Sequence, residues 1–178
     1  MDSIDLEILT ELQRDALTSK AELARRVGLT PTAVFERIRK LEERGTIRAY
    51  ALSLNAADFG LGVVAFVRVR EDETRSSRDT GARLAAIRGV EEVHRVAGED
   101  CYLVKVRASD PRELGALLDS EFRAIESVSS LFTSIVLDTV AEGQPIPLDG
   151  PPSPGGSAAR AAMPPSLLSR VQAKSLRG

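Results

Sequence analysis

An α+β fold in two parts, followed by a tail, is what the sequence predicts. Three observations carry that prediction. Residues 1–45 repeat apolar side chains at helical spacing. Residues 63–140 switch to alternating or continuously apolar runs, interrupted by two helical stretches. Seven of the nine prolines fall after residue 142. With 178 residues, 43% apolar and 28% charged, the chain has the composition of a globular protein and enough length for one or two small units.

The elements follow in order. Ile4, Ile8, Leu9 and Leu12 give a first helix its buried face. Ser19 with Glu22 reads as a capping box for a second helix, whose inward residues are Leu23, Ala24 and Val27. Gly28 then allows a sharp turn, Leu29 plugs inward, and Thr30 caps a third helix. Pro31 takes the first helical position, where its missing N–H is no loss. Val34, Ile38 and Leu41 form one stripe before Gly45 closes the helix. Two short helices joined by a three-residue turn containing glycine are the signature of a helix-turn-helix. Beyond Gly45, Ile47, Ala49 and Ala51 alternate with Arg48 and Tyr50, as in a short strand or wing.

Strand patterns over 63–70, 90–97, 101–107 and 128–140 mark the second half. A helix over 78–87 is expected to bury Ala82, Leu84, Ala85 and Ile87. Another starts at Pro111 under an Asp110 cap and carries Leu114, Leu117, Leu118, Phe122 and Ile125 inward. The order is then β-α-β-β-α-β, a ferredoxin-like split unit, with Gly98-Glu99-Asp100 as the hairpin between the middle strands. From residue 142 the chain is rich in proline and glycine and lacks apolar periodicity, so it reads as a disordered tail. The expected divisions are 1–52, a hinge at 53–61, 62–141, and the tail at 142–178.

Charge narrows the partner. Within residues 20–50, eight basic residues (Lys20, Arg25, Arg26, Arg37, Arg39, Lys40, Arg44, Arg48) face four acidic ones (Glu22, Glu36, Glu42, Glu43), although the whole chain carries −2. A basic island in an acidic chain points to a polyanion partner for that island. Stepping about 100° per residue places Thr32, Ala33, Glu36, Arg39 and Lys40 opposite the apolar stripe of the third helix, with Arg37 at the margin. An exposed arc of small, hydroxyl and basic side chains near a helix start suits a major groove of double-stranded DNA. Arg25, Arg26 and Arg48 are candidate phosphate contacts, and Thr30 belongs to the same surface as the cap.

Other chemistry is excluded or unsupported. The single cysteine, Cys101, cannot form an internal disulfide, and with the lone His94 it cannot build a tetrahedral Cys/His zinc site. The run from Gly60 to Ala65 matches a dinucleotide fingerprint by letter, but it enters a strand instead of opening a helix. No catalytic group, metal or cofactor is expected. The acidic start has no secretion-signal pattern and no long apolar run is present, so no membrane partner and a cytoplasmic location are expected.

The run LTELQRDALTSKAELARRVGLTPTAVFERIRKLEERGTIRAYALSLN resembles the amino-terminal winged helix-turn-helix of the Lrp/AsnC family of transcriptional regulators. The strand order and the run AGEDCYLVKV resemble that family's ferredoxin-like effector domain. The likeness covers about residues 2–140. It implies a DNA-binding homo-oligomer: a dimer through paired effector-domain sheets, extended to tetramers or octamers. It also implies a small-molecule effector, an amino acid, held between subunits. Carried over by position, the effector site would use Gly98, Glu99, Asp100, Cys101 and Tyr102, with Thr133, Ser134, Ile135 and Val136 from the last strand. Many members have Gly-Asp-aromatic-Asp in this turn, whereas here Glu99, Asp100 and Cys101 follow the glycine. The same two-part architecture also resembles sirohaem decarboxylases, so an enzyme on this scaffold is the alternative, with His94 and Arg95 its only adjacent candidate groups.

Overall fold

The computed structural model describes residues 1–148 apart from 73, 76 and 78. The expectation of a disordered tail therefore lies largely outside the described residues; 142–148 carry no helix or strand. Contacts divide the chain into two compact units, one built on Met1–Leu52 and the other on Ser53–Glu142.

The first unit contains three helices: α1 (Ser3–Arg14), α2 (Lys20–Val27) and α3 (Pro31–Glu43). Ile8, Leu23, Ala24, Val34 and Ile38 form its core, with Ile4, Leu12, Val27, Leu29 and Ile47 packed around it. Each helix starts on a side-chain cap. Asp2 and Asp5 exchange reciprocal bonds at the start of α1, Ser19 accepts from the Glu22 N–H, and Thr30 accepts from the Ala33 N–H. The expected Ser19–Glu22 box is only half formed. The Glu22 carboxylate turns instead to Arg25 and Arg26, one turn further along α2. Charged pairing one turn away outcompetes the neutral backbone N–H of the cap residue.

The segment after Gly45 departs from expectation. It forms no strand; Ala49 and Ala51 are exposed, and only Ile47 reaches the core. Tyr50 anchors it differently, donating its hydroxyl to a Glu42 carboxylate oxygen at 3.0 Å. Burial, reinforced by that carboxylate, pushes the Tyr50 phenol up to about 12.

The second unit begins with a 3₁₀ turn at Ala56–Phe59 and continues as β1 (Val63–Glu71), α4 (Thr80–Ala86), β2 (Val90–Arg95), β3 (Tyr102–Ala108), α5 (Pro111–Leu117) and β4 (Val128–Ile135). The strands form one antiparallel sheet in the order β2-β3-β1-β4, the expected β-α-β-β-α-β arrangement. Ala65, Val67 and Val69 of β1 and Val104 and Val106 of β3 alternate inward. There they meet Leu84, Leu114, Phe122 and Ile125 from the helical layer.

Three details correct the sequence reading. Ala82 and Ala85 are exposed, and Thr80 takes the buried place in α4 by pairing its hydroxyl with that of Ser127 at 2.7 Å. α5 passes after Leu117 into a π-type turn at Leu118–Phe122, which leaves Leu117 and Leu118 half-buried while Phe122 is fully buried. β4 stops at Ile135, short of 140. Its partner β1 starts at Val63, so the last bond available is from the Val136 N–H to the Val64 carbonyl at 2.8 Å. Gly89, at φ +88°, links α4 to β2 so closely that a Cβ there would lie 2.6 Å from the Arg107 carbonyl oxygen.

Candidate functional site

The third helix presents the first candidate surface. Val34, Ile38 and Leu41 are buried, so α3 is fixed in rotation and its opposite arc faces away from the core. Pro31, Thr32, Arg39 and Lys40 are exposed on α3, while Ala33 and Glu36 are half-buried. The side chains on this surface differ in how firmly they are held. Arg39 donates to Glu36 at 2.8 Å and lies 3.8 Å from Glu43, both pairs exposed. Lys40 and Arg48 make no ion pair among the described residues. Arg25 is engaged by Glu22, and Arg26 bridges Glu22 and Glu11. Hydrogen bonds from Arg26 and then Arg25 hold the Glu22 carboxyl below its usual range.

Arg37 behaves differently from its neighbours. Its Nη1 donates at 2.7 Å to both Asp2 and Asp5, tying the middle of α3 to the start of α1. Asp5 is 8% exposed, so this guanidinium satisfies a buried carboxylate. Periodicity put Arg37 at the margin of the exposed arc; the tertiary structure draws it inward. Sequence reasoning also passed over Phe35. The ring is 41% exposed on α3, with the Lys20 ammonium 3.9 Å from its centroid. An aromatic residue one position off the buried stripe was the available signal.

The second candidate surface is the turn between β2 and β3. Gly98 adopts φ +127°, in the region that favours glycine. The Cys101 N–H donates to the Val69 carbonyl at 2.9 Å, and its carbonyl accepts from Val96 at 3.0 Å, so the turn is pinned to the end of β1. Two arginines of β1 reach the acids of the turn. Arg70 donates to Glu99 at 2.9 Å, and Arg68 lies 3.5 Å from Asp100. Arg68 also sits over the Phe132 ring at 5.2 Å. Tyr102 is buried in the core, with Gly81 of α4 against its ring.

The remaining candidates are not brought to this turn within one chain. Tyr102 pairs with Val69, whereas Thr133, Ser134 and Ile135 pair with Val67, Phe66 and Ala65. Thr133 is therefore two strands and two residues from Tyr102, about 12 Å away at ordinary strand spacing. Among the described residues, two open hollows lie on the first unit, and neither borders 98–102. Nor do those residues hold a His/Cys/Asp/Glu cluster suited to a metal, or a helix long and apolar enough to cross a membrane.

A helix-turn-helix with an outward-facing basic arc, followed by an antiparallel α+β unit, is the architecture of a DNA-binding regulator. Comparison with known proteins makes the assignment specific. Residues 1–48 match the winged helix-turn-helix DNA-binding family, and 63–146 match the Lrp/AsnC ligand binding domain. An uncharacterised HTH-type transcriptional regulator of Pyrococcus abyssi is 35% identical over 144 residues, 80% of this chain and 96% of the relative. The leucine-responsive regulatory protein of Salmonella typhimurium is 33% identical over 146 residues, covering 80% and 88%. The solved feast or famine regulatory protein of M. tuberculosis, complexed with L-methionine, is 35% identical with a TM-score of 0.76, covering 82% of this chain and 99% of that one. The chain belongs to the Lrp/AsnC family of transcriptional regulators. These relatives are regulators, not enzymes, and the decarboxylase alternative finds no support among them.

Proposed function

We propose that this regulator reads a DNA sequence through the exposed arc of α3 and responds to an amino acid bound between copies of the chain. Residues 1–52 would bind DNA, 53–61 act as a hinge, and 62–141 hold the effector and join the copies, in the cytoplasm. The observation that carries the DNA reading is the rotation of α3: its aliphatic stripe is buried and Thr32, Arg39 and Lys40 are left facing outward. Arg39 and Lys40 would reach guanine edges or phosphates, with Thr32, Ala33 and Glu36 alongside. Arg25, Arg26 and Arg48 would contact phosphates and set the register, and Thr30, the cap of α3, would belong to the same surface. Arg37 would contribute by holding α3 against α1.

The effector reading rests on a different observation. The turn set (Gly98, Glu99, Asp100, Cys101, Tyr102) and the strand set (Thr133, Ser134, Ile135, Val136) lie apart within one chain, so one site containing both needs a second copy. Phe66 and Phe132 lie on the sheet face opposite the helices, 39% and 45% exposed, which suits a homo-oligomer joined through that face. An amino acid fits the chemistry there. Turn N–H groups and arginines suit its carboxylate, and Glu99 or Asp100 suits its ammonium.

Binding of the full chain to duplexes selected from a random-sequence library tests the DNA reading. Arg39→Ala and Lys40→Ala are expected to weaken binding by about 1–3 kcal/mol each if the residue reads a base. Thermal stability should not change. Log affinity should fall linearly with log salt as phosphate contacts release counterions. Unchanged affinity in both variants, or binding indifferent to salt, overturns the assignment of this face.

A further inference from the structure

Phe35 carries an inference beyond the basic arc. On α3 it lies between Thr32, three residues before, and Arg39, four residues after, so these three side chains line one edge of the outward surface. A phenyl ring that belonged to the core would be expected to join Val34 and Ile38, which are 0% and 7% exposed; Phe35 is 41% exposed. The ring is nevertheless not free to move at random. The Lys20 ammonium stands 3.9 Å from its centroid, a cation–π contact that restrains one side of the ring.

Lys20 is the first residue of α2, where a positive side chain has the wrong sign for the helix dipole. Its position is therefore not explained by helix stability, but it does suit a neighbouring polyanion. The patch thus combines an apolar ring with flanking cations (Lys20, Arg39), an arrangement that fits a DNA groove better than an apolar protein surface.

What an exposed phenyl ring can read in a major groove is limited by chemistry. It has no hydrogen-bond donor or acceptor, so it cannot use the polar edges of the bases. The one apolar feature among the four base pairs is the 5-methyl group of thymine. We propose that Phe35 is a specificity-determining residue that contacts a thymine methyl in each half-site, with Lys20 bracing the ring and facing the backbone. This rests on α3 being the DNA-reading helix.

The test uses the full chain and the duplex enriched from a random-sequence library. Each thymine is replaced singly by deoxyuridine, which removes the methyl and leaves base pairing intact. Wild type is expected to lose about fourfold in affinity at one thymine per half-site, the worth of one methyl group. Phe35→Ala should bind the parent duplex more weakly and be indifferent to deoxyuridine at that position only. Phe35→Leu, which keeps an apolar contact, should restore the sensitivity. Lys20→Met should weaken binding to all duplexes.

Wild type indifferent to every methyl overturns the proposal, as does Phe35→Ala retaining full sensitivity everywhere. A change in oligomer size in Phe35→Ala with methyl sensitivity intact assigns the ring to a protein contact and also overturns it. Should Phe35→Ala melt early, comparison of Phe35→Leu with Phe35→Asn decides: only the former should keep the sensitivity. If no duplex is enriched, or Arg39→Ala and Lys40→Ala bind as wild type, the reading face itself fails. Loss of binding in those two variants with no methyl effect removes only the role of Phe35.

Discussion

Two arginines of α3, two residues apart, illustrate how context assigns a role. Among the described residues Arg39 is paired with Glu36 and Glu43 in solvent-facing pairs, and such pairs contribute little, so its guanidinium can exchange them for DNA. Arg37 closes a network with Asp2 and the buried Asp5. The Asp2 carboxyl is held below its usual range, first by the Asp5 backbone N–H of the capping box and then by Arg37. A lowered carboxyl pKa stabilises the fold above the unfolded-state value of about 4, and that stability is lost as pH falls through the folded value. Melting temperature is therefore expected to fall as pH drops below about 4. Arg37→Met should lower it at neutral pH and flatten the acid dependence, as seen by circular dichroism. An unchanged profile in Arg37→Met would show that the clip holds nothing.

At the scale of the element, α3 owes its start to two adjacent residues. Pro31 presets the first turn, and the Thr30 hydroxyl accepts the Ala33 N–H at 3.2 Å. Thr30→Ala is expected to cost about 1 kcal/mol of stability in the first unit, from denaturant unfolding. DNA binding should weaken as well, because Thr32, Ala33 and Glu36 lie in the turns next to that cap. Unaltered stability would mean that Pro31 alone starts the helix. The other elements illustrate where local patterns stop. Hydrophobic spacing located α5, but not the π-type turn at Leu118–Phe122 that carries Phe122 and Ile125 into the core. Alternation located β4, but not its end, because the ladder stops where its partner β1 begins, at Val63.

For the whole molecule, the expected behaviour is a coupling between ligand and assembly. L-methionine is bound by the M. tuberculosis relative, so it is the first of the twenty amino acids to test here. A ligand that binds only the native state raises the melting temperature with concentration. A shift is expected with at least one amino acid at millimolar levels, and Asp100→Asn should reduce it. Light scattering should report an oligomer, and Phe66→Glu should break it and abolish the ligand shift together. A monomeric wild type, or a shift that survives in the monomeric variant, would remove the shared-site reading.

Much of this protein was legible in its sequence. Apolar period, caps and turn residues are local properties, and they specified three helices, the strand order and the buried stripe of α3. The run from LARRVG to RGTI was enough to reveal the family. Tertiary structure decided what local pattern does not encode. It paired Arg37 with acids thirty-two and thirty-five residues away, diverted Glu22 from its cap, and left Phe35 outside the core. It also set the turn at 98–102 apart from Thr133. The reason is physical: periodicity determines which side of an element is apolar, whereas a charge chooses its partner by distances of a few ångströms that exist only after the elements have packed.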